Sequence, residues 1–423
     1  MAENSEPAAA AAAAGENAIT SDYTGSGKPR RLHPTVILLA LVSFLNDFAS
    51  DIVVPLMPIL LASVLGAGPL VLGAIEGCAD AIASFLKLWA GRRSDLLGGK
   101  RKVFAVFGYT LSNIARPLLA FAGSWVWVLI LRSIDRVGKG IRSAPRDAMV
   151  GDVTDTRNAG LAFGFHRALD NAGAVAGSLG AAWVIYAFST SLDHVILLSA
   201  IPGAVGVLLL IFAVREPAPR TAMKSLPPLS WNALSAPMRR YLLVLGLSTL
   251  ARASETFLML RGYELKQTLP WLLVMWASLN FVKSLAAYGG GVLADRIGRA
   301  NVMLISWAAF AVSCLMLCMV ETGAGLFRVV VFYGSFSGLA EGAERALVND
   351  YGTERERGSA FGWYYLVAGI AAIPGGVIFG SLWQWESAAL AFSFAGGLSA
   401  VSALLFRLWA WPRPAVASAK GPT

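Results

Sequence analysis

Twelve apolar runs of about 18–27 residues follow one another between Thr35 and Trp411, each long enough to cross a hydrocarbon core of roughly 30 Å as an α-helix. In lipid, every backbone N–H and C=O must be satisfied within the segment, so a chain patterned this way is confined to helices. The runs cover residues 35–62, 69–91, 103–122, 125–149, 161–187, 193–214, 241–261, 269–293, 301–320, 326–349, 359–383 and 388–411. With 56% hydrophobic and 14% charged residues, and a mean hydropathy of +0.61, no soluble class fits. The expectation is an all-α membrane protein.

A net charge of +9 would suit nucleic acid if it formed a patch, but the cations lie in short loops on one side of the runs and inside the runs. Arg92, Arg93, Lys100, Arg101, Lys102, Arg215, Arg239, Arg240, Arg296 and Arg299 share one side; the other holds little more than Lys266. This bias predicts cytoplasmic termini and a lipid bilayer, not nucleic acid, as the partner. Residues 1–34 read as a disordered cytoplasmic tail and 412–423 as a second short tail. Residues 215–240, with Pro217, Pro219, Pro227 and Pro228, read as a cytoplasmic connector between a bundle over 35–214 and another over 241–411. The compact loop plan suggests a bacterial inner membrane. Cys78, Cys314 and Cys318 lack any metal or redox spacing, and no residue set calls for a cofactor or metal.

One run breaks the apolar rule. From Arg132 to Asp147 the chain reads RSIDRVGKGIRSAPRD, too charged to face lipid. At about 100° per residue, Arg132, Asp135, Arg136, Lys139, Arg142 and Arg146 fall within one arc, with Ile134, Val137, Ile141 and Ala144 opposite. A charge near the bilayer centre costs roughly 2.5–3.5 kcal/mol on insertion scales, so this arc is expected to line a wet cavity or meet partners.

The halves repeat. GRRSDLLGGKRK after the second run is echoed by GVLADRIGRANV after the eighth, and Asp95 and Asp295 stand 295 − 95 = 200 positions apart, as do Gly98 and Gly298. A second echo pairs Asp152, Gly160 and Phe163 with Asp350, Gly358 and Phe361 at an offset of 198. Such duplication marks transporters built from structural repeats. The segment GVLADRIGR, Gly291–Arg299, resembles the motif between helices 2 and 3 of the major facilitator superfamily, and its first-half copy departs from it with Leu96 in place of arginine. The resemblance implies twelve transmembrane helices in two six-helix bundles, the major facilitator fold, with alternating access to a central cavity. It also implies a cytoplasmic gate built on Gly91, Asp95, Gly98, Arg101, Gly291, Asp295, Arg296, Gly298 and Arg299. Arg132 stands near the family's helix-4 arginine, which the resemblance links to proton movement.

Further candidates come from the residues themselves. Carboxylates held near water and cations can load and release protons, which selects Asp47, Asp51, Glu76, Asp80, Asp135 and Asp170, with His166 as a candidate relay. Glu76 and Asp80 equally fit a structural role, neutralising the cations of the fourth run. Candidates for the solute cavity are Asn46, Arg132, Arg136, Arg167, Arg252, Glu255, Lys283, Glu341, Glu344 and Arg345. GAVAGSLGA in the fifth run resembles the helix-5 motif of antiporters in the superfamily, with Ser178 in place of its proline.

No GxxxxGK[ST] nucleotide loop and no nucleophile or metal set exists, so the chain does not read as an enzyme. The expected function is secondary active transport of a small polar or charged organic solute, proton-coupled and directed outward. Two alternatives stay open: a proton- or sodium-driven importer of an organic anion or zwitterion, and a transporter-like receptor or lipid flippase.

Overall fold

Long apolar stretches without β-breaking punctuation become helices here because only a helix closes its own hydrogen bonds in lipid. The computed structural model describes residues 32–96, 100–154, 159–216, 229–252, 254–351 and 357–412. Within them run α1 (Pro34–Val64), α2 (Pro69–Leu96), α3 (Arg101–Leu118), α4 (Trp125–Asp152), α5 (Ala159–Phe188) and α6 (Leu192–Phe212). The second half contributes α7 (Ala236–Glu264), α8 (Leu269–Ile297), α9 (Arg299–Cys318), α10 (Gly323–Tyr351), α11 (Arg357–Trp385) and α12 (Ala388–Trp409). Eleven are long and apolar enough to cross a membrane, and α4 is the helix that is not. Its length matches the others, and its Arg132 and Asp135 are paired inside the protein, with Glu76 and Arg116, so twelve crossings stand.

Three helices are interrupted where the sequence weakens the backbone ladder. In α1, Pro55 and Pro58 lack the amide hydrogen an α-turn needs, and a 3₁₀ turn at Val54–Leu56 and a π-turn at Leu60–Val64 follow. α6 bends at Ser199. α7 begins earlier and ends later than its hydropathy predicts, and opens between Ala251 and Thr256, where Arg252, Ser254 and Glu255 face the interior. Gly298 takes φ +88°, a left-handed conformation that favours glycine, and so turns the chain sharply from α8 into α9.

The packing is twofold pseudo-symmetric. α1 packs on α5 and α6 as α7 packs on α11 and α12, and α4 lies against α2 and α3 as α10 lies against α8 and α9. The halves meet through α2 with α11 and, by the same operation, α8 with α5. At the α2–α11 seam the backbones touch: Gly73 faces Gly376, and a Cβ on Gly77 would sit 2.7 Å from the carbonyl of Ala372. Small residues at helix-turn spacing permit this approach.

The apolar cores show which end is shut. At the end remote from the termini a single cluster joins both halves, uniting Leu56, Met57 and Ile75 with Phe257, Met275 and Phe379. At the end carrying the termini each cluster stays within one half: one around Val36, Tyr109 and Met149, one around Met238, Met303 and Phe406, and a small one of Ala294, Val302 and Ala343. The halves are therefore fused at one end and parted at the other.

Candidate functional site

α4 organises the site because its charged arc faces inward. Arg132, Asp135, Arg136 and Arg142 are all buried. Arg132 forks onto Glu76 of α2, its Nε donating to Oε1 at 3.0 Å and Nη2 to Oε2 at 3.1 Å, and reaches Asp135 at 3.4 Å. A guanidinium and a carboxylate meeting in this bidentate way make one of the stronger polar contacts available. The acids that Arg132 meets are thus Glu76 of α2 and Asp135 one turn on in α4. Asp135 is held from behind by Arg116 of α3, whose Nε donates at 3.0 Å.

Arg116 is not among the candidates that the sequence singles out, and it is the hinge of the network. Its Nη1 donates to the backbone and side-chain oxygens of Asn46 and to Asn113, while Asn46 Nδ2 donates to Asp47 at 2.8 Å. A polar chain therefore runs from Asp47 through Asn46, Arg116, Asp135, Arg132 and Glu76 to Ser254 of the opposite half, whose hydroxyl donates to Glu76 at 3.4 Å. The signal that could have found Arg116 is its burial cost: an arginine inside an apolar run needs a carboxylate, and the fourth run carries one.

Between the halves lies a cavity of about 560 Å³. Its lining includes Asp51, Glu76, Asp80, Lys87, Arg132, Arg136 and Lys139 from the first half, and Arg252, Glu255, Lys283, Glu341 and Glu344 from the second. Four of the second-half charges are paired locally: Lys283 Nζ donates to Glu255 at 2.6 Å, Arg252 to Glu344 at 2.8 Å, and the hydroxyls of Tyr333 and Tyr364 donate to Glu255 and Glu344. Asp51 receives the indole N–H of Trp276 at 2.8 Å, a contact between the halves.

Other candidates fall outside the cavity lining. His166 and Asp170 of α5 form a separate cluster with Ser43, Tyr109 and Arg146: Ser43 Oγ lies 3.1 Å from His166 Nε2, and Arg146 Nη1 donates to Ser43 at 3.0 Å. Asp135, Asn46 and Asp47 sit behind the wall. Arg167 bridges to Glu341 across the halves. Of the candidate gate residues, Arg101 pairs with Asp152 and Arg299 with Asp350, while Gly91 lies against Ala144 and Arg296 stands in the last turn of α8. Gly98 lies outside the described residues, as do the side chains of Asp95, Asp295 and Arg345; Gly291 lies within α8.

The model of the Major Facilitator Superfamily matches residues 39–282 and 266–423. An uncharacterized MFS-type transporter of Methanocaldococcus jannaschii is 31% identical over 389 residues, covering 89% of this chain and 95% of the relative. An uncharacterized protein of Mycobacterium tuberculosis is 27% identical over 341 residues, 77% of this chain and 80% of its own length. Among solved structures, the nucleoside transporter NupG superposes with a TM-score of 0.73 at 16% identity, covering 88% of this chain and 99% of that one. A POT family transporter in complex with 5-aminolevulinic acid gives 0.73 at 13% identity, covering 89% and 96%. These likenesses carry the fold; the family match spans both halves. With twelve crossings, paired bundles and a polar chamber between them, the chain belongs to the major facilitator superfamily and is a membrane transporter, not an enzyme.

Proposed function

We propose that this transporter moves a small charged organic solute outward across a bacterial inner membrane, driven by protons. The observation that carries the reading is the chamber itself: a lining crowded with carboxylates and cations, reached by a polar chain from the α1 acids, between halves that are fused at one end only. Fixed charges in a membrane are retained where they handle ions or charged solutes. The cationic loops support a cytoplasmic side for the parted end. From there a solute would enter, and rocking of residues 35–214 against 241–411, joined by the 215–240 connector, would expose it to the other side. The helix-5 resemblance favours export over import. Proton coupling is assigned first to Asp51 and Asp47, because Asp51 lines the chamber and touches the second half through Trp276, so its charge state bears on how the halves meet.

The test compares solutes inside and outside cells producing the parent chain or its Arg136→Ala variant. A solute that accumulates outside with the parent alone establishes export and names the cargo; accumulation inside reverses the direction. Asp51→Asn and Asp47→Asn are expected to abolish pH-gradient-driven flux with expression unchanged. Undiminished pH-driven flux in both removes the proton assignment.

A further inference from the structure

The two walls of the chamber differ in kind. Among the described residues no aromatic side chain of the first half lines it, whereas the second half presents Phe310, Tyr333, Phe336 and Tyr364, among others. Phe310 and Tyr333 pack with ring centres 5.9 Å apart, and Phe336, three residues on from Tyr333, shares its helix face. Phe310 and Phe336 are half-buried, so the wall offers ring surface to a guest.

An acid–base pair stands beside these rings. Tyr333 donates its hydroxyl to Glu255 at 2.9 Å, and Lys283 donates to both oxygens of the same carboxylate, at 2.6 and 2.9 Å. Both side chains of the pair stay accessible, Lys283 at 24% and Glu255 at 22%, whereas Arg132 and Glu76 across the chamber are 4% and 5% exposed. An ammonium carries three N–H donors and a carboxylate about four acceptor sites. Two of the donors and three of the acceptor sites are engaged, so the pair keeps one of each for a guest.

A guest of one sign is badly served here. An anion must draw Lys283 away from Glu255, and a cation must draw Glu255 away from Lys283; either leaves the other charge without its partner. The rest of the chamber supplies no excess of either sign, since six carboxylates and six cations line it among the described residues. A zwitterion meets both ends of the pair and leaves the balance intact.

We propose that the chamber takes an aromatic zwitterion of the amino-acid type, with its carboxylate on Lys283, its ammonium on Glu255 and its ring laid on Phe310 and Phe336. This rests on reading the chamber as the transport cavity. In an α-amino acid the ammonium and the carboxylate sit on one carbon, so they can pair head to tail with a cation and an anion in mutual contact, through charge-assisted hydrogen bonds. Aromatic faces bury ring surface and favour offset or edge-on stacking. At about 560 Å³ the chamber falls within the roughly 300–1,000 Å³ of pockets that hold drug-sized ligands.

Purified full-length protein would be titrated in a calorimeter with L-phenylalanine and with three analogues that each lack one feature: 3-phenylpropionate the ammonium, 2-phenylethylamine the carboxylate, L-alanine the ring. Phenylalanine should bind more tightly than each by about tenfold or more, because each analogue forfeits one of the contacts. Lys283→Gln should weaken phenylalanine by about tenfold and bring it level with 2-phenylethylamine, a convergence that general loosening of the fold would not produce. Phe310→Ala should weaken phenylalanine and narrow its lead over alanine. If a variant fails to fold, the ranking on the parent chain decides alone. Equal or tighter binding of any of the three analogues, or no binding of phenylalanine, overturns the proposal. Counterflow of the radiolabelled probes in liposomes then separates the two readings: phenylalanine that binds without crossing sinks transport and leaves the site, whereas crossing by a singly charged analogue and not by phenylalanine sinks the zwitterion and leaves transport.

Discussion

Arg116 touches no solute space, yet its guanidinium makes four contacts that hold α1, α3 and α4 in register. Removing one partner of a buried pair leaves the other charge stranded, at a cost of about 3–5 kcal/mol. Arg116→Ala should therefore lower the thermal midpoint of the purified protein sharply, because Asp135 then lies buried beside weaker partners. Replacing both members, Arg116→Met with Asp135→Leu, should recover much of the loss, since an apolar pair of similar volume carries no desolvation penalty. A parent-like midpoint for Arg116→Ala would show that Asp135 is already satisfied by Arg132. The sequence signals that Arg116 needs a carboxylate but not which one: it sits near the end of an apolar run, and its partner lies on another helix, 19 positions on. By contrast the inward arc of α4 is legible, because helical periodicity alone gathers its charges on one side.

At the scale of the element, the duplication reappears as a matched pair of contacts. Arg101 at the start of α3 meets Asp152 at the end of α4, and Arg299 at the start of α9 meets Asp350 near the end of α10. Both pairs are related by the same shift, 299 − 101 = 198 and 350 − 152 = 198. The sequence alone displays the offset of 198 between Asp152 and Asp350, but the cation that each meets depends on how neighbouring helices end side by side. The two copies differ in setting: the Arg101 and Asp152 side chains are each 8% exposed, whereas Arg299 and Asp350 are 40% and 38% exposed. Buried pairs are costly to break, and exposed ones are worth about 0.2–1 kcal/mol. Asp152→Asn should destabilise by several-fold more than Asp350→Asn in parallel denaturation curves. Equal effects would show that burial does not decide the worth of the two pairs. The opening of α7 between Ala251 and Thr256 is invisible to hydropathy, which averages over the polar residues that cause it.

For the whole molecule, the seam at the fused end is where the halves are held together. Gly73 and Gly376 place backbone against backbone, so a branched side chain at either position has no room. Gly376→Val should pry α2 from α11 and shift the population toward opening on that side. In a background lacking Cys78, Cys314 and Cys318, a cysteine placed at Ser337 of the chamber should react from the parted side in the parent and gain reactivity from the fused side in the variant. Unchanged labelling from both sides would show that the seam does not govern the equilibrium. The two-bundle plan itself is legible, since twelve runs, a proline-rich connector and repeated motifs all point to it. The fusion of one end is not, because it depends on which apolar faces meet across the halves.

The charged character of α4 also bears on how the chain is made. Its strongest counter-charges, Glu76 on α2 and Arg116 on α3, stand earlier in the chain than the residues they neutralise. When α4 leaves the ribosome, helices carrying its partners have already been synthesised, so it can be delivered into a waiting polar slot instead of bare lipid. The order of synthesis thus solves an insertion problem that hydropathy alone says this helix should fail.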